Sequence, residues 1–166
     1  DWSKNTINIG RSVTAKDFSV KAPEFATTVN AALMEPFYFA DTFPIGELPV
    51  VDGFVNADPA SGISKVAVVD RYSGAGKVSK MFWKNVGPIT PNSALASSQM
   101  HDIHNIWVLG NDDEAMAIAA NAVAEMQGGW ALVARGELVS TVSLDIAGLV
   151  TARPVLEVAA EVEDLN

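Results

Sequence analysis

The stretch from residue 105 to residue 144 limits the possible folds more than any other part of this chain. Residues 105–109 (Asn-Ile-Trp-Val-Leu) are a short apolar run closed by Gly110, the pattern of a strand buried on both faces. Asn111 stands as an N-cap with Glu114 three residues on, which predicts a helix over 112–127 whose acidic first turn suits the helix dipole. Met116, Ala119, Ala120, Val123 and Ala124 fall on one stripe, and their small size permits close packing on a sheet. Gly128-Gly129 ends the helix with the left-handed cap that glycine tolerates. Residues 130–134 and 137–144 then read as two strands around an Arg135-Gly136 turn, and Pro154 opens a terminal helix over 155–165. Strand, helix, hairpin and helix behind a set of strands predict an α+β fold, with a mixed, mainly antiparallel sheet and two C-terminal helices.

The strands ahead of that stretch are short. Pro23, Pro36, Pro44, Pro49 and Pro59 punctuate the first third, so residues 25–34, 37–40 and 48–55 read as brief strands joined by turns. Thr14-Ala-Lys-Asp17 has the form of a capping box and predicts one helical turn. Asp58-Pro-Ala-Ser-Gly62 reads as a turn, 65–71 as a strand, and 77–84 as its antiparallel partner beyond Ser73-Gly-Ala-Gly76. Residues 87–98, rich in Pro, Ser, Thr and Asn, read as an ordered loop. The whole, 1–166, is taken as a single domain, because a (β/α)8 barrel needs about 200 residues.

Composition narrows the function classes. Eleven basic against twenty acidic side chains leave a net charge of −9, with no basic run, which disfavours nucleic acid and anionic membranes as partners. Absence of cysteine excludes disulfide scaffolds, cysteine-ligated zinc and thiol catalysis. There is no signal-like leader and no run of about 18 apolar residues, so a cytoplasmic location is expected. A start at Asp1 rather than Met suggests a piece cut from a longer chain.

Both histidines lie in His101-Asp102-Ile-His104-Asn105. One reading makes them acid/base groups or metal ligands, with Asp102 fixing a tautomer. The other makes the segment a polar turn into the following strand, since this spacing matches no familiar zinc pattern. Ser97-Ser98 has no nucleophile elbow around it, and Gly74-Ala-Gly76 lacks the Lys-Ser/Thr and helix of a phosphate loop. Arg71, at the end of an apolar strand, is suited to a carboxylate or phosphate, or to an ion pair within the chain. The tryptophans and methionines read as core, and Glu157, Glu161, Glu163 and Asp164 as a solvated helix face.

Val69-Asp-Arg71-Tyr-Ser-Gly74, Ala96-Ser-Ser98, His101-Asp-Ile-His-Asn105, Gly110-Asn-Asp-Asp113, Gly128-Gly129 and Ile146-Ala-Gly-Leu149 follow one another in order. Together they resemble the C-terminal domain of bacterial and archaeal adenine deaminases of the amidohydrolase superfamily. The resemblance runs from residue 65 to the end and is fainter over 1–64. Asp145 and Gln99-Met100 depart from its usual pattern. It implies a parent enzyme that hydrolyses adenine to hypoxanthine and ammonia with a metal-activated water, its manganese or iron held in a separate barrel. The barrel's His-x-His pair is not in this sequence, so the chain alone is expected to be inactive and to pack on that barrel. His101, Asp102, His104, Asn105, Arg71 and Ser98 become candidates for the substrate side, and His101 and His104 the residues a metal bound here would use. A structural or oligomerisation module, or an independent metal-binding module built on the histidine pair, are the alternatives; homo-oligomerisation stays open.

Overall fold

The computed structural model describes residues 3–34, 43–87, 90–101 and 104–165. Its first helical turn, α1 (Ala15–Phe18), forms where the capping box predicts it, with the Asp17 carboxylate accepting the Thr14 N–H at 2.8 Å. Strands β1 (Val20–Lys21), β2 (Thr28–Met34), β3 (Ile45–Val51) and β4 (Phe54–Val55) follow, and a 3-10 turn over Pro59–Ser61 leads into β5 (Ile63–Val69) and β6 (Val78–Lys84). Next come β7 (Ala94–Ser97), β8 (Ile106–Gly110), α2 (Asp113–Glu125), the hairpin of β9 (Gly129–Ala134) and β10 (Glu137–Ser143), and α3 (Val155–Glu163). The described strands make one sheet in the order β1-β4-β3-β2-β6-β5-β8-β7-β9-β10. Only β2 with β6 pairs in parallel; the other neighbours are antiparallel. The α+β class, the mixed mainly antiparallel sheet and the two C-terminal helices are therefore as expected. No helix among the described residues is long and apolar enough to cross a membrane.

Helix α2 lies across β7, β8 and β9. Its Ala115, Met116, Ala119, Ala120 and Val123 are fully buried against Ala94, Ala96, Ile106, Val108, Ala131 and Val133. Each Val or Ile buried in this way contributes about 1.5–3 kcal/mol. Small residues on both surfaces let the helix approach so closely that a Cβ on Gly110 would stand 2.5 Å from Met116 Cγ. A second cluster, Leu33, Leu48, Val55, Ile63 and Phe82, supports the β2–β4 side. Residues 7–13 run along α2 as a strap. The Gln127 side-chain amide bonds both main-chain groups of Ile7 at 3.1 Å, and the Asn121 amide bonds both of Val13 at 2.9 Å.

Several expectations need correction. Residues 94–97 are not loop but the strand β7 between β8 and β9, chosen because its small side chains fit beneath α2 rather than for β propensity. The cap of α2 is Asp112, whose carboxylate accepts the Ala115 N–H at 2.8 Å; Asn111 instead ties Ser93 N–H and Thr90 C=O into the preceding loop. The first residue of positive φ after α2 is Gln127 (φ 61°), and Gly128 (φ 121°) and Gly129 (φ 133°) follow it in the same half of backbone space. Gly128 and Gly129 are needed because a Cβ on either would lie about 2 Å from the backbone of Gly148 or Val142. Phe25 sits in a turn at φ 65° rather than in a strand, and Asp52-Gly53 breaks 48–55 into β3 and β4. The expected strand at 37–40 lies outside the described residues.

Candidate functional site

Strand direction decides which residues meet. β5, β7 and β10 run one way and β8 and β9 the other, so residues 70–72, 98–101, 104–105, 128–129 and 144–149 gather at one end of the sheet. The start of β5, the end of β8 and the first turn of α2 lie at the opposite end.

Arg71 lies just beyond β5. Its N–H donates to Asn105 Oδ1 at 3.2 Å, and its C=O accepts the Asn8 N–H at 2.7 Å, so its main chain is gripped from both sides. Only 3% of the residue is exposed. Nη2 donates to Tyr72 Oη at 3.3 Å, and the guanidinium carbon lies 5.1 Å from the centre of the Tyr72 ring. Nε and Nη1 are buried without an acceptor among the described residues. An uncompensated buried charge typically costs about 3–5 kcal/mol, so this guanidinium is an incomplete arrangement.

The β7–β8 connection carries the remaining candidates. Ser98 is fully buried; its hydroxyl donates to Gly148 C=O at 2.5 Å and accepts the Gly129 N–H at 2.8 Å, which places it beneath the surface as a clamp between two turns. His101 and His104 are exposed, and His104 has a left-handed backbone (φ 46°) with its N–H on Met100 C=O at 2.9 Å. The Tyr72 hydroxyl donates to His104 C=O at 3.1 Å, so Arg71, Tyr72 and His104 form one chain of contacts. Asp102 lies outside the described residues. Ala147 (φ 56°) and Gly148 (φ 69°) are left-handed, as are Gln127 and His104. Such backbone costs about 1–2 kcal/mol at a residue with a Cβ and marks constrained sites.

The acids nearby are engaged. Asp70 is held below the usual carboxylate range first by the Ser73 hydroxyl and then by the Tyr72 N–H, and Asp145 first by the Lys4 ammonium and then by the Thr151 hydroxyl. No group of three or more His, Asp or Glu able to hold a metal occurs among the described residues. What the arrangement supplies is a set of exposed hydrogen-bonding groups standing on a buried cation.

Tyr72 and Gly148 were not singled out from the sequence, although both stand inside the quoted motifs. A Cβ on Gly148 would lie 2.4 Å from Arg71 Nη1, so glycine is required for the guanidinium to seat. The Lys65–Asp113 ion pair at the opposite end was also missed, because lysine within an apolar run carries no signal of its distant partner.

The family model for the adenine deaminase C-terminal domain matches residues 44–166. A protein named adenine deaminase 2 from Jannaschia sp. is 48% identical over 165 residues, 99% of this chain and 26% of its own length. Adenine deaminase 1 from a Bradyrhizobium species is 49% identical with the same coverage, and an adenine deaminase from Ruegeria pomeroyi is 35% identical over 98% of this chain and 27% of its own. This chain spans about a quarter of the length of these curated relatives. It belongs to the adenine deaminase C-terminal domain family.

Proposed function

We propose that the polypeptide carrying this chain hydrolyses adenine to hypoxanthine and ammonia, and that this domain borders the active site without supplying its chemistry. The observation that carries the reading is the gathering of His101, His104, Asn105 and Arg71 at one sheet end, in a chain of this family. The metal-activated water, and the manganese or iron that the resemblance implies, are assigned to a barrel outside these residues. The part played here is to pack on that barrel, hydrogen-bond purine edges from the 101–105 connection, and exclude water. Asp102 is included among the candidates for those contacts. A cytoplasmic location and a place in purine metabolism go with this function.

The test is kinetic, on the full-length enzyme. His101→Ala and His104→Ala are expected to lower kcat or raise KM about tenfold, equal to the loss of one contact of roughly 1.4 kcal/mol, with the unfolding midpoint unchanged. Unchanged kinetics with lowered stability would instead make the connection a structural turn. Ammonia release from adenine by the 166-residue chain with manganese would contradict a role without chemistry. A second reading, an oligomerisation module, draws on α3, where Val155 and Leu156 are 78% and 81% exposed. Leu156→Asp would then change the oligomeric state while leaving the kinetics per subunit unchanged.

A further inference from the structure

Arg71 is 97% buried by its 3% exposure, yet Nε and Nη1 meet no acceptor among the described residues. A guanidinium keeps its charge inside a protein, so an anion rather than loss of a proton must balance it. Adenine is neutral and does not supply that charge. Asp70 and Asp145 already hold Ser73, Tyr72, Lys4 and Thr151. The residue is also deliberately seated. Asn8 and Asn105 fix its main chain, and Gly148 leaves room for Nη1 that any side chain would remove. The Tyr72 ring covers the guanidinium but is itself 57% exposed, and its hydroxyl contacts are 3.1 and 3.3 Å long. Tyr72 is thus the part of the enclosure most easily moved.

We infer that Arg71 receives an Asp or Glu carboxylate from polypeptide outside these 166 residues, which enters as Tyr72 swings aside. This rests on the reading that this sheet end faces the catalytic domain. Arg71 then acts as a positioning residue: the incoming carboxylate locks Arg71, and through Tyr72 and Asn105 it locks the histidine connection against the rest of the enzyme. A planar carboxylate suits the guanidinium fork in geometry as well as charge.

The test compares full-length wild type, R71M and R71K by thermal unfolding near neutrality and at about pH 2.5, below the unfolded carboxylate value of about 4. A carboxylate beside a cation has a lowered folded pKa, so its stabilisation is present above the unfolded value and fades as pH falls through the folded one. R71M is therefore expected to lower the midpoint by several degrees near neutrality and by less than half as much in acid, with R71K retaining most of the wild-type behaviour. An equal loss at both pH values overturns the inference. Carbodiimide treatment of R71K, followed by peptide mapping, identifies the carboxylate that touches the introduced amine. Coupling to an acid outside the 166 residues supports the inference. Coupling to an acid of this chain, Asp102 included, or no coupling, overturns it. The two proposals fail separately: if these results go against Arg71 while His101→Ala still alters the kinetics, the functional reading stands.

Discussion

Strand β5 carries a buried cation near its start and another just past its end, and the two are completed differently. Lys65 is 2% exposed and lies 5.9 Å from the centre of the Phe82 ring, with Nζ 2.5 Å from Asp113 Oδ1. Asp113 opens α2, where the helix dipole also favours a carboxylate. The pair spans 48 residues of sequence and ties helix to sheet from within the chain. Arg71 is as deeply buried but has its neighbours arranged around it without a counter-charge among the described residues. One end of the domain is closed by its own residues, while the other is prepared for something from outside. Both histidines lie at the second end.

The largest expected effect is at the closed end. Asp113→Ala leaves Lys65 buried and unpaired and should lower the unfolding free energy by about 3–5 kcal/mol in urea titration. Adding Lys65→Met should restore most of that loss, and a loss below about 1 kcal/mol would show that the pair does not close this end. Next comes Gly148→Ala, which combines a clash with Arg71 Nη1 and a left-handed alanine. It should cost about 2–4 kcal/mol, against about 1 kcal/mol for Gly136→Ala, a left-handed glycine with open space around it. Equal losses would mean that Arg71 is not tightly seated. The smallest effect is remote from both cations. The Asp17 carboxyl is held well below its usual range first by Arg11 and further by the Thr14 N–H and hydroxyl. Its contribution is present above the unfolded value of about 4 and is lost as pH falls, so Asp17→Asn should slightly flatten the acid limb of a midpoint-against-pH curve. A similar change on the alkaline side would contradict that assignment.

What the sequence made legible follows from where the information sits. The capping box at Thr14, the turn at Asp58, the hairpin at Arg135-Gly136 and the buried strand ending at Gly110 are local patterns, and each appears where expected. β7 was missed because Ala-Leu-Ala-Ser has little intrinsic strand preference, and only two flanking strands and a close helix make it one. The cap moved from Asn111 to Asp112 because both residues can cap, and a loop 18 residues away in sequence claims Asn111. At the site, the grouping of His101, His104 and Asn105 was visible as spacing. Their meeting with Arg71 depends on strand order, and the burial of Ser98 on turns contributed by Gly129 and Gly148. The need for a glycine at 148 is a property of a contact across the sheet end, which no local pattern records.

Amide hydrogen exchange on the full-length enzyme, with and without hypoxanthine as the bound product, tests the difference between the two ends most directly. Slower exchange on binding is expected in peptides covering residues 71–74 and 98–106, with no change in those covering 60–66 and 110–114. Protection at the Lys65 end, or none at the Arg71 end under saturating product, would contradict it.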